Sequence, residues 1–367
     1  MVAISPNARV RRSPYDQATR AAGVQSFEIY NRMLMPTSYG DPVAEYWRLI
    51  EGVALWDVAC ERQVQITGPD AATLAQILAP RDLARCPVGQ GRYVALCDHR
   101  GVLINDPVLS KLAPDRFWLS IADADIWLWA RAIAAERDLD VVIEEPDVSP
   151  LAVQGPKAEA VVASLFGDWV RELGRFAFRA ATLDDIPLVV ARSGWSKQGG
   201  FELYLLDSRK ATALWQLVME AGRPFDIGPG SPNDVERIES GLLAFGCDTD
   251  ARTNPFEVRL GRFVDLDLPD DTIGIEALRR IAAVGPVRQQ LGVMLAEEAP
   301  RERAVGRFAV LAGGERIGTT TELVWSHRLR RTIGLALVDI GATPGSAVEV
   351  RLAAGIFAGT LRGLPFL

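Results

Sequence analysis

The chain has 367 residues, 49% of them hydrophobic, so it can bury a large core and form two or three domains. Its 47 acidic and 40 basic residues give a net charge of -7, which disfavours nucleic acid or an anionic membrane as a partner. No apolar run follows the N-terminal arginines, and no stretch reaches the roughly 18 apolar residues of a membrane span. We therefore expect a cytoplasmic protein without membrane association.

The cysteine and histidine content limits the chemistry that is available. Cys60, Cys86, Cys97 and Cys247 show no C-x-x-C spacing and are too sparse for a disulfide scaffold, so we expect them to be reduced. The sequence holds two histidines, too few for a histidine-based metal centre or a hydrolase triad. We predict no metal site.

One pattern of strand, turn and helix occurs twice. In residues 64–71 and 151–158, alternating apolar residues end at a Gly-Pro pair. Alanine-rich sequence with helical periodicity follows over 71–78 and 158–166. This repetition predicts two pseudo-symmetric modules of an α+β fold.

The remaining elements complete this prediction in chain order. Their patterns indicate antiparallel sheets with helices on one face, and from residue 289 short strands with glycine turns predict a small β-barrel. The predicted domains are 1–145, 146–285 and 286–367. Further strands are predicted at 92–96, 103–111, 117–121, 188–192 and 202–206, and further helices at 126–136, 208–221 and 233–243.

Asp106 is the first candidate for chemistry. It lies among apolar residues in a predicted strand, directly before Pro107. Because proline has no N–H for a β-ladder, the strand should end or lie at an edge there, which leaves the aspartate where a ligand can reach it. Such a carboxylate can accept a ring N–H or orient an amine. A turn-capping aspartate is the alternative.

A glycine-rich loop that leads into Glu202 is the second candidate. The loop, residues 192–201, lacks the G-x-G-x-x-G pattern and precedes a strand, so it does not indicate a phosphate site. Trp195 could stack on a flat heterocycle or face a cation, and Glu202 could accept two hydrogen bonds from an amino-pyrimidinone edge. A hairpin with a core tryptophan and a surface glutamate is the alternative. Arg237, on a predicted helix, could form a structural ion pair or reach an anionic ligand.

Several short motifs occur in a fixed order along nearly the whole chain. They include Leu55-Trp56-Asp57-Val58, Gly101 to Asp106, Gly200-Phe201-Glu202-Leu203, Glu236-Arg237-Ile238-Glu239 and Asn254-Pro255-Phe256-Glu257. In combination they resemble the folate-binding family of the glycine cleavage T-protein. This family also contains dimethylglycine-oxidising enzymes and dimethylsulfoniopropionate demethylase.

The resemblance implies a three-domain cloverleaf with tetrahydrofolate in a central channel. By motif, Asp106 corresponds to the catalytic aspartate near the reactive folate nitrogens. Tyr93 corresponds to a tyrosine that lines the pterin, and Glu202 to the carboxylate that holds the pterin edge. Trp195 is expected to stack near folate or substrate, and Arg237 matches a family arginine assigned here to the cofactor site with a partly structural role.

Departures from the family pattern indicate the reaction. Residues 58–62 and 231–234 differ from the segments typical of aminomethyltransferases, whereas residues 105–108, 147–151 and 193–200 resemble the demethylase branch. We therefore predict transfer of a methyl group from dimethylsulfoniopropionate or a similar sulfonium to N5 of tetrahydrofolate. The alternatives are demethylation of a betaine or an aryl methyl ether, aminomethyl transfer, and a non-catalytic folate-binding protein that supports iron–sulfur enzymes.

The expected partner is a small-molecule methyl donor. Trp195, Tyr30 and Phe178 are candidates to present ring faces to its cationic centre. Lys197 and Arg62 are candidates, by their location alone, to bind a substrate carboxylate. A homodimer is one oligomeric state that the sequence permits.

Overall fold

The computed structural model describes residues 7–367; the first six residues, with which the predicted 1–145 domain begins, lie outside this range. Within it, no helix is long and apolar enough to cross a membrane. The helices are α1 Asp16–Ala21, α2 Pro42–Glu51, α3 Ala71–Leu78, α4 Ile126–Glu136, α5 Ala158–Phe166, α6 Ala211–Gly222, α7 Asp234–Glu239 and α8 Ile275–Val284, and short 3-10 helices lie at Asp168–Glu172, Ser208–Lys210, Arg223–Phe225 and Gly261–Phe263. The strands are β1 Ser26–Tyr30, β2 Met33–Ser38, β3 Ala54–Asp57, β4 Gln63–Thr67, β5 Gln90–Tyr93, β6 Leu96–Cys97, β7 Leu103–Asn105, β8 Val108–Ala113, β9 Arg116–Ser120, β10 Val142–Glu144, β11 Ser149–Gln154, β12 Phe178–Leu183, β13 Ile186–Ala191, β14 Gly200–Leu205, β15 Gly228–Gly230, β16 Arg288–Leu295, β17 Ala304–Ala312, β18 Glu315–Ser326, β19 Arg331–Asp339, β20 Ala347–Leu352 and β21 Gly355–Arg362.

The chain forms two compact units, each made of several chain segments. The sheet unit comprises the described residues up to Ala75 together with Leu83–Tyr93 and Pro107–Pro232. The barrel unit comprises Gln76–Asp82, Val94–Asp106 and Asn233–Leu367. The predicted division into three domains stays a prediction.

The sheet unit contains two large sheets in which four strands, β4-β9-β8-β5 and β11-β14-β13-β12, follow the same order. The first sheet runs β10-β4-β9-β8-β5, and the second runs β3-β11-β14-β13-β12, with β15 added in parallel beyond β3. In each sheet the second strand of this order, β4 or β11, continues through a Gly-Pro pair into a helix, α3 or α5. The pseudo-symmetry predicted from the sequence repeat is therefore present.

The two Gly-Pro turns share their backbone geometry. Gly68 has φ +127° and Gly155 has φ +122°, a region that favours glycine. A Cβ on Gly68 would lie 2.6 Å from the carbonyl oxygen of Asp140, and one on Gly155 would lie 2.5 Å from that of Gly52. Both turns therefore require glycine, which explains why both copies of the repeat contain it.

The main core of the sheet unit lies between the second sheet and helices α5 and α6. Phe201, Leu203 and Leu205 alternate along β14 and are fully buried on this face, against Leu214 of α6. Each such side chain stabilises the fold by roughly 1.5–3 kcal/mol. Because neighbouring residues of a strand point to opposite faces, Glu202 is directed away from this core.

The barrel unit is built around a closed barrel of strands β16-β19-β18-β17-β20-β21. Its interior is filled by alternating aliphatic residues such as Val293, Val310, Val338 and Val350. The barrel begins at Arg288, one residue before the predicted start, and the predicted C-terminal β-barrel is confirmed.

Some predicted elements differ from the structure. The strand predicted at 103–111 is interrupted between Asn105 and Val108, as the proline had indicated. The helix predicted at 233–243 ends at Glu239 because Gly241 adopts φ +63° and its N–H donates to the carbonyl of Ile238, which terminates the helix.

Candidate functional site

Glu202 is a buried carboxylate on the face of β14 opposite the main core. Its residue is 5% exposed, and the hydroxyls of Ser193 and Tyr204 both donate to its Oε2, the latter over 2.9 Å. Burial raises the pKa of Glu202, and these two hydrogen bonds oppose the rise. Since both bonds end on Oε2, Oε1 is the oxygen with capacity to accept donors from a ligand.

A chain of hydrogen bonds supports this carboxylate from the first sheet. The amide Nε2 of Gln63 donates to the hydroxyl of Ser120 over 2.8 Å, and Ser120 is hydrogen-bonded to Tyr204. Burial and the neighbouring Glu202 raise the pKa of Tyr204, so its hydroxyl stays protonated and donates to Glu202. The donors align towards one carboxylate and polarise one another, which fixes the orientation of Glu202.

The glycine-rich loop before β14 is folded around the buried side chain of Gln154. Its Nε2 donates to the carbonyl of Ser193 over 3.2 Å, and its Oε1 accepts the hydroxyl of Ser196 over 2.9 Å. A Cβ on Gly194 or Gly200 would lie 2.0 Å or 2.5 Å from the Gln154 amide, so only glycine fits at these two positions.

Trp195 and Lys197 both lie in this loop. Trp195 is half-buried and Lys197 is exposed. The loop is therefore held on both sides of Trp195 by Gln154, which contacts Ser193 and Ser196.

Tyr93 and Phe178 lie on adjacent edge strands of the two sheets. The N–H of Gly91 donates to the carbonyl of Phe176 over 2.7 Å, and the N–H of Phe178 donates to that of Gly89 over 2.8 Å. Phe178 also packs against the cluster that contains Tyr204. Phe178, at the start of β12, therefore lies next to the Tyr204 that donates to Glu202. Tyr93 ends β5, the strand beside β12.

Tyr30 and Arg62 have packing partners of their own in the sheet unit. Tyr30 ends β1 and packs against the main core, next to Asn31, whose amide donates to the carbonyls of Cys60 and Ile121, both over 3.1 Å. Arg62 pairs with Glu145. These contacts favour structural roles, and their predicted substrate contacts stay predictions.

Asp106 lies in the barrel unit, directly after β7, and is half-buried. The preceding turn is closed by Asp98, whose carboxylate accepts the N–H of Val102 over 3.0 Å. Gly101 in this turn has φ +77°, and its missing side chain leaves room for Ile281 of α8. The Gly101 to Asp106 motif is therefore a tight turn and short strand that ends at the aspartate.

Arg237, also in the barrel unit, is enclosed by carboxylates. It is 1% exposed, and its guanidinium contacts Asp234 at 3.1 Å, Asp248 at 2.9 Å and Glu322 at 2.5 Å. Burial lowers its pKa, but the three carboxylates raise it more, so the pKa lies above the ordinary value. These ion pairs give Arg237 a structural role, and its predicted cofactor contact stays a prediction.

The sequence analysis missed Ser193, Tyr204 and Gln154 as members of the Glu202 site. Tyr204 could have been found, because residues i and i+2 of a strand share one face. Gln154 lies far from the loop in sequence, and its role depends on the pairing of β11 with β14.

Comparison with known proteins agrees with this architecture. Residues 15–268 match the GCVT N-terminal domain, and residues 288–367 match the glycine cleavage T-protein C-terminal barrel domain. The chain belongs to the glycine cleavage T-protein family. The predicted family and the α+β fold are confirmed.

Individual relatives define the chain's place within this family. The chain is 42% identical over 363 residues to the dimethylsulfoniopropionate demethylase of Ruegeria pomeroyi, with 99% of each chain covered. It is 31% identical over 329 residues to an aminomethyltransferase of Symbiobacterium thermophilum, with 86% of each covered. The crystal structure of aminomethyltransferase T from Bartonella henselae has the same fold, with a TM-score of 0.84 at 24% identity and 98% of each chain covered. The chain is thus an enzyme of one-carbon transfer, as predicted.

Proposed function

We propose that this protein transfers a methyl group from dimethylsulfoniopropionate or a similar small sulfonium to N5 of tetrahydrofolate. The observation that carries the proposal is the 42% identity to a dimethylsulfoniopropionate demethylase over 99% of both chains. The buried, hydrogen-bonded Glu202 supports the folate part. A cytoplasmic location and a homodimer belong to the same proposal.

The chemistry of Glu202 fits a pterin. The amino-pyrimidinone edge of a pterin presents two neighbouring N–H donors, which a carboxylate can accept together. Glu202 offers Oε1 for this purpose while Ser193 and Tyr204 hold Oε2. We assign Tyr93 and Trp195 to contacts with the flat faces of the folate.

The residues of the chain would act mainly by orientation. When bound, tetrahydrofolate supplies the N5 lone pair that accepts the methyl group, and the donor leaves as a neutral thioether. Asp106 would orient the amine and accept the N5 proton on its carboxylate. Holding the reacting atoms about 3–3.5 Å apart and in line lowers the barrier without an acid catalyst.

The donor is cationic, so aromatic faces are suitable contacts. Trp195, Phe178 and Tyr30 are the proposed faces, each worth roughly 0.5–2 kcal/mol. Of the two cations proposed for the donor carboxylate, Lys197 is exposed, whereas Arg62 is paired with Glu145. Both stay candidates for this contact.

A panel of methyl donors tests the proposal. The protein is incubated with tetrahydrofolate and sulfonium, betaine or aryl methyl ether compounds, and 5-methyltetrahydrofolate is measured. We expect product from the sulfonium, none without protein, and none from the Asp106→Asn variant. Product from a betaine or an ether alone would reassign the donor, and no product from any compound would refute methyl transfer.

A further inference from the structure

The barrel unit contains a cavity of about 590 Å³ that none of the residues predicted for methyl transfer lines. It lies between the loop that follows Cys247 and strands β16 to β19. Four arginines line it: Arg252, Arg288, Arg307 and Arg316. Three aspartates also line it, so the charge available to a ligand depends on which of these groups are already paired.

Two aspartates that line the cavity are already paired with arginines. Asp248 accepts from the buried Arg237 over 2.9 Å. Asp250 pairs with Arg288 at 2.8 Å, and Arg288 also contacts Glu257 at 2.9 Å. Hydrogen bonding to Arg288 holds the pKa of Asp250 well below its ordinary value. Asp339 remains as the third aspartate of the lining.

Arg307 and Arg316 keep charge available for a ligand. Arg307 donates to the carbonyl of Thr249 over 3.1 Å, and Arg316 donates to the Thr319 hydroxyl over 2.7 Å. Within residues 7–367, neither has a carboxylate within 4.0 Å. The acceptors of both guanidinium groups are neutral, so neither group is held in an ion pair within the described residues.

A buried amide adds an unused donor to the cavity wall. Gln290 is 3% exposed, and its Oε1 accepts from Arg259 over 3.2 Å. Its Nε2 has no hydrogen-bond partner in the described part of the chain. An unused buried donor costs about 1–3 kcal/mol unless a ligand or water satisfies it.

We infer that this cavity binds a small molecule with two or more anionic oxygen groups, either phosphates or carboxylates. Guanidinium groups match both oxyanions through paired N–H donors. The volume suits a metabolite, since small-molecule pockets occupy about 300–1,000 Å³. Arg307 and Arg316 bind the anionic groups, while Arg237 and Arg288 hold Asp248 and Asp250 in ion pairs.

Calorimetric titration of the full chain with pyrophosphate and, separately, with citrate tests the site and distinguishes the two sources of oxyanion. We expect one of them to bind in a 1:1 ratio. Arg307→Ala and Arg316→Ala should each weaken that binding at least about tenfold. The control is Arg351→Ala, which removes an exposed arginine of the same barrel that does not line the cavity, and should change affinity less than about twofold.

Three results would overturn the inference. One is that neither anion binds at millimolar concentration. Another is that Arg307→Ala and Arg316→Ala bind as the unmodified chain does. The last is that Arg351→Ala weakens binding as much as they do, which indicates attraction to charge in general. Circular dichroism of each variant confirms that it is folded, and none of these outcomes depends on methyl transfer.

Discussion

Replacing Glu202 with glutamine separates the proposed ligand contact from folding. The glutamine keeps the size of the side chain but loses its charge. Ser193 and Tyr204 both donate to one oxygen of Glu202, so the amide oxygen of the glutamine must face them. Its NH2 group then points to the place of Oε1, where two ligand N–H donors would meet another donor.

The expected loss follows from the two hydrogen bonds. Each bond to a charged acceptor contributes about 1.5–3 kcal/mol, so losing two corresponds to about 10²–10⁴-fold in the dissociation constant of tetrahydrofolate. Folding should suffer little, because the substitution also removes a buried carboxylate whose pKa burial raises. Isothermal titration with tetrahydrofolate and a thermal melt measure the two effects.

Tyr204→Phe gives a comparison in which the carboxylate stays and one supporting hydrogen bond is lost. It removes one of the two donors to Glu202 and keeps the aromatic ring packed against Trp118. Affinity should fall by roughly tenfold, as expected for loss of one supporting hydrogen bond. If Glu202→Gln bound tetrahydrofolate within threefold of the unmodified chain, the assignment of this carboxylate to the pterin edge would be wrong.

Three further predictions concern the barrel unit and the pH dependence of folding. Asp106→Asn should abolish formation of 5-methyltetrahydrofolate and leave the melting temperature unchanged; full activity would contradict the proposed proton acceptor. Arg237→Met should lower the free energy of unfolding in urea by about 3–5 kcal/mol because it leaves buried carboxylates unpaired, whereas a loss below about 1 kcal/mol would contradict the structural role. Burial raises the pKa of Asp57 from 3.8 to about 7; the folded state therefore binds the proton more tightly, and stability should fall by up to about 4 kcal/mol between roughly pH 4 and 7. Asp57→Asn should remove this fall in pH-dependent urea titrations, and an unchanged pH profile would argue against the raised pKa.

Local sequence was sufficient for the helices that carry a full apolar periodicity. The helices predicted at 71–78, 126–136 and 158–166 have the same bounds in the structure. The β1–β2 hairpin was not predicted, because its strands are only partly buried and lack a clear apolar alternation. Its turn residues Asn31 and Arg32 both have positive φ, which polar sequence alone does not indicate.

The site was predicted less completely than the fold. Glu202 and the loop before it were identified, but their alternation and glycine content also fit an ordinary hairpin. What distinguishes them is the burial of the Glu202 carboxylate and the support that Ser120, on the other sheet, gives to Tyr204. Such contacts depend on how sheets pack, and no spacing within one strand encodes them.

The repeat shows which position of the first module corresponds to Glu202. In the first module β9 pairs with β4 so that Trp118 lies opposite Gln65. In the second, β14 pairs with β11 so that Glu202 lies opposite Ala152. Gln65 and Ala152 each lie three residues before the glycine of their own Gly-Pro turn. Glu202 therefore occupies the position that Trp118 has in the first module.

The loops next to these positions differ in length, and one side chain holds the longer loop in place. Residues 114–115 join β8 to β9, whereas residues 192–199 join β13 to β14. Thr67 directly precedes Gly68 in the first module, and its hydroxyl contacts the neighbouring strand β10. Gln154 directly precedes Gly155 in the second module, and its amide holds the long loop. Because the scaffold of strands and glycine turns is common to both modules, the site depends on the few positions where they diverge: a long loop, a glutamine to hold it, and a carboxylate in place of an indole.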